Sequence, residues 1–501
     1  MSTLQATRSS TQTSSKLDFD AVIIGAGISG LYQLLKLREL GLRVKVFETG
    51  TGVGGTWYWN RYPGARFDSE SWSYGYSFSK ELLQEWDWTE HFSPQPQTLK
   101  YLNFVADKFD LRRDIQFKSR VTAAHYKEVD RSWDLTLEDG SRYSTRFLVT
   151  AIGPLSTPTM PRIEGVESFK GEAYHTAQWP HTPVSFEGKR VGIIGTGATA
   201  VQTIQEVVKT VGHLTVFQRT PNWCAPLHNA KITPEEMREI KTRYDEIFAR
   251  CKETNACFVH TPDMRGTFEV SDEEREAAFE RLYNTPGFGI WQGNFKDILT
   301  DRKANAAISE FVARKIRERV KDPAIADKLT LETKYYEAYN QPNVKLVDIK
   351  ETPIERITET GIQTSDTSYE FDMIIYATGF DAITGSFHRI DWRGVGGRNL
   401  KDAWTGGPKT FVGVQVEGFP NMFMVVGPHT ALGNIPRSIE YNVEWVADLI
   451  AFMKEHDLTY ADPRPESVAA WTDNVRAAGE GLLTNEIDSW MTGINSNVEG
   501  K

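Results

Sequence analysis

A chain of 501 residues is too long for one compact core, and its net charge of −10 argues against nucleic acid as the main partner. With 40% hydrophobic and 25% charged residues it reads as a globular protein of two or three domains. No apolar run approaches the roughly 18 residues needed to cross a bilayer. Three cysteines, Cys224, Cys251 and Cys257, form neither a CxxC pair nor an even framework, which fits a reducing, cytoplasmic setting and excludes a disulfide scaffold.

The first 16 residues are polar and Ser/Thr-rich without an apolar h-region, so they read as a disordered tail rather than a secretory signal. The first periodic segment follows, "DFDAVIIGAGISGLYQLLKLRELGLRVKVFE". A buried strand over Asp20–Ile24 leads into Gly25, Gly27 and Gly30 as GxGxxG; a helix over Ser29–Leu40 and a strand over Arg43–Phe47 come next. Glu48 lies 23 residues after Gly25, where an acid can accept hydrogen bonds from an unphosphorylated ribose. The glycines let backbone approach a pyrophosphate at a helix N-terminus.

Further on, "FLVTAIGPLS" (147–156) reads as an apolar strand ending at a glycine, the shape that suits a chain returning from one dinucleotide unit to another. In "FKGEAYHTAQWP", Gly171, His175 and Trp179 fall four apart, and spacing alone places them on one face of a short helix packed on the core.

The second cradle is "KRVGIIGTGATAVQTIQEVVKTVGHLTVFQRT". A strand over Val191–Ile194 enters Gly195-Thr196-Gly197-Ala198-Thr199-Ala200, a GxGxxA, with Leu214–Phe217 as the next strand. Counting 23 residues from Gly195 reaches Gln218, not an acid, and Arg219 follows. A neutral amide beside a guanidinium accepts a 2′-phosphate that a carboxylate would repel. The first unit is therefore expected to hold FAD and the second NADPH.

Between the second cradle and Tyr335, "ITPEEMREIKTRYDEIFARCKE" and "SDEEREAAFERLY" read as amphipathic helices with Ser/Thr starts, in an all-helical insertion over 226–334 with charge-rich, solvated faces. "FDMIIYATGFD" (371–381) repeats the strand-then-glycine shape. "PNMFMVVGPHTALGN" places Gly427 after an apolar strand, where a helix N-terminus could face a flavin. The expected organisation is α/β, with two Rossmann-like units: FAD-binding over 17–160 and 388–501, NADP-binding over 161–387.

On these residues the chain resembles the Baeyer–Villiger class of flavoprotein monooxygenases from about Asp18 to its end. Phe169, Gly171, His175, Trp179 and Pro180 match that family's fingerprint; related N- and S-oxidising enzymes carry Tyr or Phe in place of Trp179. A second family motif is complete in "GGTWYWNRYPGARFD", through Gly54, Gly55, Trp57, Tyr62, Pro63, Gly64 and Asp68. The resemblance implies oxygenation of ketones to esters or lactones with NADPH, O₂ and a flavin C4a-peroxide, in a site that excludes water and carries preorganised positive charge. It implies that Gly55, Thr56, Trp57, Arg66, Asp68 and Tyr74 surround the flavin, that Val121 meets its adenine, and that Asp68 holds a catalytic arginine. Gly195, Thr196, Gly197, Ala198, Thr199, Gln202, Arg219, Thr220 and Trp490 are implied on the NADP side. His175 is implied as a hinge residue between the two units rather than a general base.

The family's arginine loop has no counterpart between Thr330 and Leu331, and neither Lys328 nor Lys334 replaces it with a planar fork. The family's C-terminal tail is also missing after Lys501. The expected reason is omission of both segments from the sequence as given. A true deletion would instead leave NADPH oxidation with peroxide leakage. Oxygenation of N or S atoms is the other alternative.

Overall fold

The computed structural model describes residues 4–8, 16–222, 224–328, 335–495 and 497–498. Continuous apolar runs make the central strands, as expected where both faces of a parallel sheet are covered. Val22, Ile23, Leu148 and Val149 are fully buried in one sheet, and Val191, Ile193, Ile374 and Ile375 in another.

The larger sheet has eight strands. At its centre Arg142–Thr150 and Val44–Phe47 flank Phe19–Ile24, both in parallel. Ser132–Leu137, Val121–Lys127 and Asp391–Arg393 extend one side, and Ile115–Gln116 closes the other. Met422–Met424 also pairs in parallel with the end of Arg142–Thr150. The smaller sheet is five-stranded and wholly parallel, in the order Val344–Asp348, His213–Gln218, Arg190–Ile194, Met373–Tyr376, Glu172–His175. Both sheets carry the Rossmann-like pattern expected from the two cradles, with element limits within a residue or two of the sequence reading.

The two cradles are built alike. Gly25 (φ 103°) and Gly195 (φ 106°) have backbone conformations that disfavour a side chain, and a Cβ on either would stand 2.5 Å from the carbonyl oxygen of Ala151 or Ala377. Those alanines end Arg142–Thr150 and follow Met373–Tyr376, so the two strand-then-glycine segments noted in the sequence form the floors of the cradles. The Gly25 N–H donates to Phe47 O at 2.8 Å and the Gly195 N–H to Phe217 O at 3.0 Å.

Three expectations are corrected. The Gly171/His175/Trp179 spacing is not a helix face. Glu172–His175 is an edge strand, because Met373–Tyr376 offers it a parallel ladder, and only Thr176–Gln178 makes a 3₁₀ turn. Residues 4–8 of the expected disordered tail form a strand paired antiparallel with Leu458–Pro463. The two make a separate two-stranded ladder, in which the extended backbone of Leu458–Pro463 supplies partners to a sequence with no pattern of its own. The segment expected as one helix over 232–253 is two, Pro234–Thr242 and Tyr244–Glu253, because Arg243 leaves the helical region (φ −110°, ψ 7°).

The insertion packs on both units through its apolar faces. Met237, Ile240, Tyr244 and Phe248 pack into the core of the larger sheet, whereas Phe279, Leu282, Ile308 and Phe311 pack into that of the smaller one. Three of its helices start at side-chain caps: Thr233, Ser271 and Asp301 accept from the N–H groups of Glu236, Glu274 and Ala304. No helix among the described residues is long and apolar enough to cross a membrane.

A Cβ on Gly30 would lie 1.8 Å from Gly25 O, whereas one on Gly197 would meet nothing within 4 Å. Gly30→Ala should therefore lower stability by at least about 1–3 kcal/mol. Gly197→Ala should change it by less than about 1 kcal/mol, because the gain from a stiffer unfolded chain is offset by Ala's poorer fit at a helix N-cap. Denaturant unfolding of the two variants checks the contrast.

Candidate active site and nucleotide cradles

The helices Ile28–Glu39 and Ala198–Val207 start at Gly27 and Gly197, and neither has a side-chain cap. Their first-turn N–H groups therefore look for an acceptor elsewhere. Gly55 lies over the first cradle, where a Cβ on it would stand 2.8 Å from Gly27 Cα, and the Gly54 N–H donates to Ala26 O at 3.0 Å. Thr56 opens the short helix that carries Trp57. Glu48 is buried, and its carboxylate accepts from Ala26 N at 2.7 Å and Gly50 N at 2.6 Å. Burial raises its pKa, against the pull of these bonds. A carboxylate offers about four acceptor sites, so acceptor capacity remains for a ligand hydroxyl. The Ser119 N–H donates to Glu48 O at 2.9 Å, which brings the start of Val121–Lys127 beside this group.

In the second cradle Thr196 Oγ1 donates to Thr220 O at 2.9 Å, holding the Arg219–Thr220 turn against the glycine loop. Arg219 is exposed there. The counterpart of Glu48 is Gln218, whose amide donates to Lys328 O at 2.6 Å. Lys328 itself pairs with Glu351. The Thr330–Leu331 junction and Lys334 lie outside the described residues.

An aromatic box connects the two halves of the second motif. Phe67 and Tyr74 stack with centroids 3.9 Å apart, Trp57 meets both edge-on, and Trp57 Nε1 donates to Tyr74 Oη at 3.1 Å. Asp68 adjoins this box with Oδ1 enclosed and unpartnered. Burial lifts its carboxyl to about 6, with Arg66 opposing. Arg66 itself turns to Glu90 (3.2 Å), which also binds Lys231 at 2.5 Å and Asn229 at 2.6 Å. Burial works against charge on Glu90, but the bonds from Lys231, Asn229 and Arg66 together hold its carboxyl below the usual range.

Gln202, expected at NADP, spends its amide on the other unit: its Oε1 accepts from Tyr62 Oη at 2.8 Å and its Nε2 donates to Arg66 O at 3.2 Å. Gly64 (φ 81°) fits under it, since a Cβ there would stand 2.4 Å from Gln202 O. Trp490 is 41% exposed, with no hydrogen bond or ring contact to either cradle among the described residues.

The fingerprint residues sit where the two units join. A Cβ on Gly171 would stand 2.5 Å from the Phe169 ring and 2.7 Å from Asp372 O, and Trp179 is buried in the second core. His175 is buried, and its Nδ1 accepts from Ala177 N at 3.0 Å. The proton is thereby left on Nε2, which faces Thr159 O at 3.3 Å and Thr378 Oγ1 at 3.4 Å. Burial lowers its pKa, so the ring stays neutral. Thr176 Oγ1 donates to Thr199 Oγ1 at 3.3 Å, tying this strand end to the second cradle. Sequence reasoning missed Phe67, Glu90, Thr159 and Thr378. Only Thr378 carried a signal, its place in "ATGF".

Two mononucleotide folds, one with a buried acid and one without, joined beside an aromatic box, define a two-nucleotide flavoprotein oxidoreductase. The family model "Flavin-binding monooxygenase-like" matches residues 20–261. The 2-oxo-Δ3-4,5,5-trimethylcyclopentenylacetyl-CoA monooxygenase of Pseudomonas putida is 46% identical, over 96% of this chain and 92% of its own. A Baeyer–Villiger monooxygenase of Pseudooceanicola batsensis is 41% identical, over 97% and 91%. The crystal structure of OTEMO in complex with FAD and NADP superposes with a TM-score of 0.93 at 45% identity, covering 95% of this chain and 93% of that one. The chain belongs to the Baeyer–Villiger monooxygenases, the class that its complete fingerprint had indicated.

The raised Asp68 pKa has a testable sign. A carboxyl titrating near 6 in the folded protein and near 4 when unfolded loses folding stability as pH rises through that window. In the flavin-free protein, Asp68→Asn should match the wild type near pH 4. Above pH 6 it should gain on the order of 2 kcal/mol relative to it. Parallel unfolding curves across the pH range check this.

Proposed function

We propose that the protein converts a ketone, NADPH, H⁺ and O₂ into an ester or lactone, NADP⁺ and water. The observation that carries this reading is the complete fingerprint, whose His175 sits buried between the two units rather than in a catalytic pocket. The relative from Pseudomonas putida is named for a cyclic oxo compound, and a cyclic ketone of modest size is the substrate class proposed here. The reaction belongs in the cytoplasm, where NADPH is supplied.

The residues present fit both nucleotides. The uncapped N-termini of Ile28–Glu39 and Ala198–Val207 offer N–H donors and a partial positive charge to two pyrophosphates. Glu48 selects a ribose with free hydroxyls, and Arg219 beside neutral Gln218 selects one bearing a 2′-phosphate. When bound, FAD supplies electron transfer and activation of O₂, and NADPH supplies the hydride. Trp57, Phe67 and Tyr74 form an apolar wall that keeps water from the reacting region. Asp68 holds a negative charge above its midpoint near pH 6, and its enclosed Oδ1 can orient a cation or a ligand N–H. The domain division proposed is FAD-binding over 17–160 and 388–501 and NADP-binding over 161–387, with the insertion over 226–334 packing on both.

Product analysis by mass spectrometry with NADPH and a panel of cyclic ketones and sulfides tests the reading. Lactone from ketones supports it; sulfoxide alone, or NADPH loss with no oxygenated product, overturns it. Arg219→Ala should raise the KM for NADPH by about tenfold to a hundredfold, as for loss of a charged hydrogen bond, and leave NADH kinetics nearly unchanged. Asp68→Ala should still be reduced by NADPH but form ester at least about tenfold more slowly. Stopped-flow reduction and product yield separate the two steps.

A further inference from the structure

Asp68 Oδ1 is enclosed without a partner, and among the described residues Arg66 acts on this carboxyl through its charge alone. The aim of the carboxyl therefore depends on how the backbone is held on either side. Upstream, the Gln202 amide takes both backbone groups of Arg66: Oε1 accepts from Arg66 N at 3.4 Å, and Nε2 donates to Arg66 O at 3.2 Å. Downstream, Glu70 is the anchor. It precedes the short helix Ser71–Tyr74, and its carbonyl accepts from Ser73 N and Ser73 Oγ, both at 2.9 Å. That helix ends at Tyr74, the residue that stacks on Phe67.

The Glu70 side chain is held from the insertion. Glu70 is only 4% exposed, and His260 Nε2 lies 2.8 Å from its Oε1. A carboxylate oxygen only accepts, so the ring nitrogen is the donor. Gly287 (φ 77°) presses on the same oxygen, where a Cβ would stand 2.8 Å away. Glu70 Oε2 is enclosed without a partner, so the loss of His260 would leave this buried carboxyl with no side-chain donor among the described residues.

A strained turn aims His260. Ala256 (φ 59°) and Cys257 (φ 60°) are consecutive left-handed residues that are not glycine, a conformation that persists only where the surroundings enforce it. Asn434 N donates to Ala256 O at 2.8 Å, while Asn434 Nδ2 donates to Ser73 Oγ at 3.0 Å. Thr254 Oγ1 closes the turn on Phe258 O. The turn is thus tied to the helix Ser71–Tyr74 twice, by His260 through Glu70 and by Asn434 through Ser73.

We propose that His260 and Glu70 are positioning residues for oxygen transfer: the turn of the insertion holds, through Glu70, the backbone that aims the Asp68 carboxyl. The proposal rests on the Baeyer–Villiger reading above and on the place of Asp68 in it. Among the described residues His260 makes no hydrogen bond or ring contact to either cradle or to the aromatic box, so its effect passes through Glu70.

The test uses the full-length, FAD-loaded enzyme with His260→Leu, His260→Gln, Asp68→Ala and the double variant H260L/D68A. His260→Ala repeats the loss of the donor without branched bulk. Both donor-less variants should keep flavin reduction by NADPH within about twofold and form ester about three- to thirtyfold more slowly, as for a hydrogen bond lost from a buried carboxyl. A Gln amide reaches the place of Nε2, so His260→Gln should recover ester formation to within about threefold of the wild type. On the Asp68→Ala background His260→Leu should slow ester formation by less than about twofold further, because the group it aims is gone. Amide hydrogen exchange over 68–74 should quicken in His260→Leu and return toward the wild type in His260→Gln. Full ester formation in both donor-less variants overturns the proposal, as does a loss in H260L/D68A equal to the product of the two single losses. Exchange over 68–74 that stays at the wild-type rate in His260→Leu overturns it independently. A wild type that makes no ester sinks the Baeyer–Villiger reading instead, and exchange then decides whether His260 holds the Asp68 segment.

Discussion

Backbone pressed against backbone sets the geometry of this protein. Gly25 against Ala151 O, and Gly195 against Ala377 O, leave no room for a side chain. The contact aligns each glycine loop with the end of a neighbouring strand, where the helix N-terminus opens toward a ligand. The same two alanines lead into the crossings between sheets. Each cradle floor is therefore covalently continuous with a crossing between the sheets, a few residues away.

On this shared frame the two cradles differ by a small electrostatic change. The strands after both cradles end at equivalent places, one with Glu48 and the other with Gln218. Glu48 is held ready by two backbone N–H groups despite burial. Gln218 turns away to hold the end of the insertion and leaves Arg219 exposed at the rim. A carboxylate repels a phosphate and a guanidinium attracts one, and the proposed assignment of flavin to one unit and phosphorylated nicotinamide nucleotide to the other rests on that difference. The remaining charge at the site is handled differently. Arg66 is spent on Glu90, which leaves Asp68 as an enclosed acid whose proton is held to about pH 6.

The joint between units is made from residues that looked like ligand contacts. Gln202 sits on the helix of the second cradle, and the family resemblance implied it on the NADP side. In the fold its amide locks Tyr62 and the Arg66 backbone onto that helix, with Gly64 beneath. His175 shows the reverse case. Its four-residue spacing suggested a helix face, but the residue closes a strand and bonds to both crossings. In each case the partner lies more than a hundred residues away or in a segment without periodicity, which is information that local spacing does not carry.

What the sequence determined by itself was local: two GxGxx(G/A) turns between strand and helix, an acid in one unit and a Gln–Arg pair in the other, and motifs specific enough to indicate the family. Those features follow from short-range rules, namely glycine at crowded backbone and apolar runs where both faces of a sheet are covered. Tertiary structure alone decided that residues 4–8 pair with Leu458–Pro463, that the insertion packs into two cores at once, and that Asn495 and Asn497 bind the crossing after Met373–Tyr376. Backbone carbonyls and open sheet edges accept a partner whatever their side chains are. Such contacts are settled only when the chain brings distant segments together.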